Sequence, residues 1–208
     1  MLNHLVDGGI MMVILVIFSI FSLAVVIDRF RAFRQYRKVD NRALRAQVMR
    51  LVREDDVDEA ILLCHETPGP ISSVLLSGLL AYRKSRMGGS DTAATAIAAK
   101  EAMDDFSVHA ISAVEKRFGV LTTVGNAAPL VGMLGTVVGM IASFAALSAD
   151  GVSNEEVAAG ISIALVTTAG GLVVALFAVI PYNWFVSLSD AVDLEIEEIK
   201  AQFVDAIV

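Results

Sequence analysis

Apolar residues in this chain gather into three uninterrupted runs, and between the runs hydrophobic positions recur at intervals of three and four. The runs are Ile10–Ile27, Gly119–Ala149 and Ala158–Pro181, and none contains Asp, Glu, Lys, Arg or His. A hydrocarbon core about 30 Å thick is crossed by about 20 helical residues, so each run predicts a transmembrane helix. The stretch between the first and second runs reads as helical throughout. Asp40 or Asn41 is a candidate N-cap before Leu44, Val48, Leu51 and Val52, and Asp56 with Glu59 has capping-box spacing before Ala60, Leu63 and Cys64. Thr67-Pro68-Gly69-Pro70 breaks the pattern, a further helix spans about Ile71–Arg86, and Gly88-Gly89 ends it. From Ser90 helix-favouring alanines lead into a stripe of Ile97, Ala102, Met103, Phe106, Ala110 and Val114 with no clear stop before Ala149. One long helix is therefore expected, continuous with the second span and bending at Gly119, Gly125 or Pro129. At about 1.5 Å per residue it would extend far beyond the bilayer, and its apolar stripe would need packing partners, most simply other copies of the chain. After Pro181, Leu188, Val192, Ile196, Ile199, Phe203 and Ile207 mark an amphipathic helix with Asp190, Asp193, Glu195, Glu197 and Glu198 between them.

The two later runs differ from a plain anchor in their small residues. One carries Gly132, Gly135, Gly139 and Ser143; the other carries Gly160, Ala164, Thr168 and Gly171. Small residues three and four apart let helix backbones approach closely. These helices are expected to pack on other helices, with Gly132, Gly135, Gly139 and Gly171 at the contacts.

Composition agrees: 56% of residues are hydrophobic, which belongs to the membrane class. The net charge of −7 matters less than its distribution. Arg29, Arg31, Arg34, Arg37, Lys38, Arg42, Arg45, Arg50 and Arg53 follow the first run, Lys116 and Arg117 precede the second, and the loop Asp150–Val157 has acids and no base. Basic residues near span ends stay cytoplasmic. The expected topology has the N-terminus outside, the acidic loop outside and the C-terminus inside, with Tyr182 and Trp184 at the inner interface. Met1–Asp7 has no basic residue and no small-x-small site follows the first run, so that run is expected to be a retained helix rather than a cleaved leader. The expected parts are an N-terminal transmembrane helix over 1–28, a cytoplasmic helical region over 29–118, a two-span core over 119–182 and a cytoplasmic amphipathic helix over 183–208.

Reactive side chains are sparse. His4, His65 and His109 are scattered, and a single cysteine, Cys64, sits on an apolar face. Asp104 and Asp105 are adjacent and so diverge on a helix. No metal spacing, nucleophile constellation or phosphate loop is visible. The expectation is a non-enzyme with no metal, no cofactor and no nucleic-acid partner.

What remains is hydroxyls in the spans: Thr136, Thr167 and Thr168, with Thr122, Thr123 and Asn126 nearer the inner end. Two readings stand. Threonines bond back to a carbonyl of their own helix and fill space, or they line a polar route. A threonine orients water but does not titrate, whereas intramembrane proton routes use carboxylates or histidines. With none in the runs, and Asp28 only at an interface, a proton pathway here needs an ionisable group from a second polypeptide.

The run Val124-Gly125-Asn126-Ala127-Ala128-Pro129-Leu130-Val131-Gly132-Met133-Leu134-Gly135-Thr136-Val137-Val138-Gly139-Met140 closely resembles the signature of the MotA/TolQ/ExbB proton-channel family. Gly160-Ile161-Ser162-Ile163-Ala164-Leu165-Val166-Thr167-Thr168-Ala169-Gly170-Gly171-Leu172 and Pro181-Tyr182-Asn183 resemble it as well. Length and span number are similar to the ExbB and TolQ branch. The resemblance implies an all-α integral membrane protein of a bacterial inner membrane, assembled as a homopentamer in membrane lipid. It implies a pore holding single-span ExbD- or TolR-like helices that each supply an Asp, and a TonB- or TolA-like protein that carries proton-driven movement to the outer membrane. The family's pore-lining threonines fall on Thr136 and Thr168. Two positions depart from the pattern: Ile163 stands where a glutamate is usual, and Phe177 replaces a proline, with Pro181 four residues on. Alternatives are the same motor serving envelope integrity or motility, and a non-conducting scaffold, which Ile163 favours.

Overall fold

The computed structural model describes residues 9–147 and 154–207, and the described residues are helical with no strand. His4 and the first half of the acidic loop expected over Asp150–Val157, residues 150–153, lie outside them, while Asn154–Val157 are helical rather than loop. The helices are α1 (Gly9–Tyr36), α2 (Asn41–Arg53), α3 (Val57–Glu66), α4 (Pro70–Met87), α5 (Thr92–Val114), α6 (Phe118–Leu147) and α7 (Asn154–Ile207). Three of them, α1, α6 and α7, are long and apolar enough to cross a membrane. The protein is an all-α membrane protein.

Local chemistry places the ends of the short helices. Asp40 caps α2 by accepting from the Arg42 and Ala43 amides at 3.1 and 3.0 Å. Asp56 caps α3 through the Glu59 amide, and Asp91 caps α5 through the Ala94 amide at 2.7 Å, each satisfying an amide that has no partner within its helix. Between α3 and α4, Gly69 takes φ +151°, open only to glycine, and Pro70 starts the next helix.

The expected single helix from Ser90 through the second span is not formed. It breaks at Glu115–Arg117, where Arg117 adopts φ 71°. A left-handed residue other than glycine costs about 1 kcal/mol, and side-chain contacts on either side of the break offset it. The Ser189 hydroxyl donates to the Glu115 carboxylate at 3.2 Å, and the Arg117 guanidinium donates to Asp28 at 2.9 Å. The long unbroken helix is instead α7, with Pro181 inside it; the third span and the amphipathic tail are one element. Likewise α1 runs past Ile27 to Tyr36, since no glycine or proline interrupts Asp28–Tyr36.

The chain forms two compact units. One comprises the described part of Met1–Arg29 with Arg117–Trp184. In it Met12 and Leu15 of α1 pack on Ala128 of α6 and Ala175 of α7, while Ile10, Ile20, Phe21, Leu130, Ile141, Leu165 and Phe177 point outward, as a lipid environment favours. The Asp28 carboxylate is held by Arg29 at 2.6 Å and by Arg117.

The other unit comprises Phe30–Lys116 with the chain from Phe185 onward. Its core joins Leu44, Val48, Leu51 and Val52 of α2, Ala60 and Cys64 of α3, Leu75 and Leu79 of α4, Met103 of α5, and Ile196, Ile199 and Phe203 of α7. Within the α5 stripe, Met103, Ala110 and Val114 are buried, but Ile97 and Phe106 are exposed; the buried face instead takes in Thr95, Ala99 and Ser107. The tail's acids are partly engaged, with Arg45 on Glu198 at 2.9 Å and the Asn41 amide donating to Glu195 at 3.2 Å. Lys200, buried to 5% exposure, donates to Asp104 at 2.7 Å and also meets Glu197.

Candidate functional site in the α6–α7 contact

Glycines decide how closely α6 and α7 approach. A methyl group at Gly171 would lie 2.6 Å from the Ala128 carbonyl oxygen and 3.1 Å from the Gly132 Cα, both main-chain atoms. At Gly132 it would lie 3.0 Å from the Thr168 Cα. The two backbones are therefore in contact at Gly132 and Gly171, and neither position admits a side chain without separating the helices. Contact continues along the crossing. A methyl at Gly135 would meet Thr167, and one at Gly139 would lie 2.6 Å from the Ala164 Cβ. At Gly160 it would collide with the Ser143 hydroxyl, and at Gly125 it would lie 2.6 Å from Val179. The structure thus brings together all four packing glycines read from the sequence, and adds Gly125 and Gly160.

That proximity positions the hydroxyls. The Thr168 hydroxyl reaches across and donates to the Gly132 carbonyl at 2.9 Å, with the Thr136 hydroxyl 3.4 Å away. Thr136 donates to the Met133 carbonyl of its own helix at 2.7 Å. Both side chains are half-buried, so their oxygens form one polar patch that keeps lone pairs free to accept. Thr167, buried, donates to the Ile163 carbonyl at 3.1 Å, and Thr122 and Thr123 donate to Phe118 and Gly119. Back-bonding to the same helix describes these three. It does not describe Thr168, whose hydroxyl links two helices.

Among the described residues no titratable group accompanies this patch. Ile163 is half-buried and contributes only its carbonyl to Thr167. Asp28, which directly follows the first apolar run, is engaged by two guanidinium groups. Among the described residues no cluster of three His, Cys, Asp or Glu side chains could hold a metal ion. Chemically the patch can accept a hydrogen bond from a protonated acid or a water and can orient it; it cannot store a proton.

Sequence reasoning missed the Asp28–Arg117 pair, which joins residues 89 positions apart. It also missed Ser22, a buried hydroxyl of α1 with no hydrogen-bond partner among the described residues. Neither leaves a local signal, since each depends on which helix faces lie together.

Residues 68–198 match the model of the MotA/TolQ/ExbB proton channel family. A Synechocystis protein designated ExbB-like 1 is 32% identical over 196 residues, covering 90% of this chain and 71% of the relative. The Tol-Pal system protein TolQ of Haemophilus influenzae is 30% identical over 182 residues, covering 84% of this chain and 77% of its own length. A Helicobacter pylori protein designated ExbB-like 2 is 38% identical over 79 residues, 38% of this chain and 53% of that protein. The chain spans about half the length of that last relative, and 49% of an Aquifex aeolicus biopolymer transport protein ExbB.

Proposed function

Because the chain belongs to the MotA/TolQ/ExbB proton channel family, we propose that it is an ExbB/TolQ-like subunit of a proton-driven complex in a bacterial inner membrane. Thr136 and Thr168 form the polar wall of the proton path, and a partner helix supplies the carboxylate that titrates. The observation that carries this reading is the paired hydroxyl patch at the glycine contact, in spans that hold no ionisable side chain of their own. A transmembrane carboxyl that arrives protonated finds two oxygens ready to accept its hydrogen bond. A single-span ExbD- or TolR-like partner with one transmembrane Asp fits that need. Movement of this partner, passed to a TonB- or TolA-like protein, would couple proton entry to work at the outer membrane. Several copies of the chain, a pentamer by family analogy, would surround the partner, with the N-terminus and the α6–α7 loop periplasmic and the α2–α5 region cytoplasmic. Nothing in this role calls for enzymatic chemistry.

The test is the pair Thr136→Val and Thr168→Val, each reconstituted with the partner in liposomes under a pH gradient. Valine keeps the shape and removes the hydroxyl, so assembly is expected to persist while proton flux falls by about two orders of magnitude, a loss typical of removing a positioned hydrogen-bonding group. Thr168→Ser, which keeps the hydroxyl, is expected to retain flux. Undiminished flux in both valine variants would overturn the relay. Absence of flux in the unaltered complex would favour the other reading, a non-conducting scaffold, which the half-buried apolar Ile163 supports.

A further inference from the structure

One partly exposed side of α6 is unlike the rest of the helix. Thr122, Asn126, Pro129, Met133 and Thr136 recur at intervals of four, three, four and three, which holds them on one side of a helix with about 3.6 residues per turn. Asn126 is exposed and its side-chain amide makes no hydrogen bond with any described residue. Pro129 adds a main-chain group to the same region, because it has no N–H to give the Gly125 carbonyl. A bare amide in hydrocarbon is strongly disfavoured, because nothing there replaces the hydrogen bonds it makes in water. The neighbouring exposed side, with Leu130, Leu134, Val137 and Ile141, suits lipid or an apolar partner; this one does not.

We propose that the Thr122–Asn126–Met133–Thr136 side of α6 lines a hydrated route joining the Thr136–Thr168 patch to the basic end of the helix, with Asn126 as the residue that holds water along it. The inference rests on the proton-path reading and extends it, since it names where the proton leaves the patch. Ten residues separate Asn126 from Thr136, about 15 Å along the axis, a gap that their side chains bridge only through water. An amide suits that position: its NH2 donates and its oxygen accepts, so it holds water in either orientation, and it does not titrate and trap the proton.

Single cysteines at positions 126, 133 and 134, placed in the complete complex in sealed membranes, test the route. Met133 and Leu134 are neighbours with the same exposure, 49%, but point about 100° apart, so they differ in face and not in depth. A membrane-impermeant methanethiosulfonate added on the side of the basic end is the probe. The unaltered complex serves as the blank, its Cys64 buried to 2% exposure. Asn126→Cys and Met133→Cys are expected to react at least about tenfold faster than Leu134→Cys, because the reactive thiolate forms in water. Equal rates at 133 and 134, or no reaction at 126 and 133, would overturn the route. So would spontaneous cross-linking of Asn126→Cys copies without labelling, which would make the amide a contact between subunits. Should Asn126→Cys fail to assemble, the comparison of 133 with 134 still decides. Labelling does not depend on proton flux. Labelled cysteines with fully active Thr136→Val and Thr168→Val would sink the relay alone, and unlabelled cysteines with inactive threonine variants would sink the route alone.

Discussion

Thr168 and Cys64 show what a single side chain gains from its surroundings. Thr168 and Thr167 are adjacent and chemically identical, yet one hydroxyl crosses to Gly132 and the other turns back to Ile163. Spacing marked both as intramembrane hydroxyls, but the choice between self-bonding and cross-bonding depends on which helix lies within 3 Å, and only the packed structure contains that. Cys64 was easier to read, because it continues the apolar face that Ala60 and Leu63 begin. Burial pushes its thiol up to about 12 from an ordinary 9.0. The folded protein is thus expected to ignore a thiol-specific colour reagent at pH 8 and to react once denatured, which an absorbance assay checks. The sign of the pH effect follows too. Between about pH 9 and 12 the unfolded thiol has released its proton while the folded one keeps it, so the unfolded state binds fewer protons and stability falls as pH rises. Cys64→Ala is expected to flatten that alkaline loss in denaturant titrations.

For the helices, glycine positions predict which substitutions the α6–α7 contact tolerates. Gly170 and Gly171 are neighbours in α7, but a methyl at Gly170 meets Met12 and Leu15 at an ordinary 3.8 Å while one at Gly171 meets main chain at 2.6 Å. Gly171→Ala is expected to lower the melting temperature of the purified complex and to abolish flux, at a cost of about 1–3 kcal/mol for overpacking. Gly170→Ala is expected to match the unaltered protein in both measurements. Comparable behaviour of the two variants would remove the backbone contact as the cause. The small-residue spacing made these contacts legible. The break at Glu115–Arg117 was not, because it contains neither glycine nor proline and its left-handed residue is held by Asp28, far away in sequence. Continuity of α7 through Pro181 was likewise hidden, since proline usually ends a helix.

Across the whole molecule the sequence order and the packing order disagree. The unit built on α2–α5 is completed by the far end of α7, whose Phe203 is fully buried against Tyr82 at a ring separation of 6.3 Å. Phe203→Ala is expected to destabilise that unit by about 3–5 kcal/mol and to expose α2–α5 to limited proteolysis, while α6 and α7 up to Trp184 stay protected. Helical content, span number and the buried side of the tail were legible, because each leaves a periodic trace in one segment. The partners of that buried side were not: Lys200 reaches Asp104 across 96 residues, and no local pattern reports a bond between segments that distant.

The hydrogen bond from Thr168 to Gly132 ends on a main-chain oxygen, which has a genetic consequence. A codon change can delete the hydroxyl at 168, but none can delete the carbonyl at 132; it can only enlarge the side chain beside it. A saturation screen of these two positions should therefore return opposite kinds of allele. Hits at 168 should be loss-of-hydroxyl changes in proteins that still assemble, and hits at 132 should be bulky changes in proteins that do not. Because the α7 atoms that a position-132 side chain would meet are main chain, shrinking an α7 side chain should not rescue a position-132 allele. No revertant should restore a missing acceptor, because the acceptor is never lost.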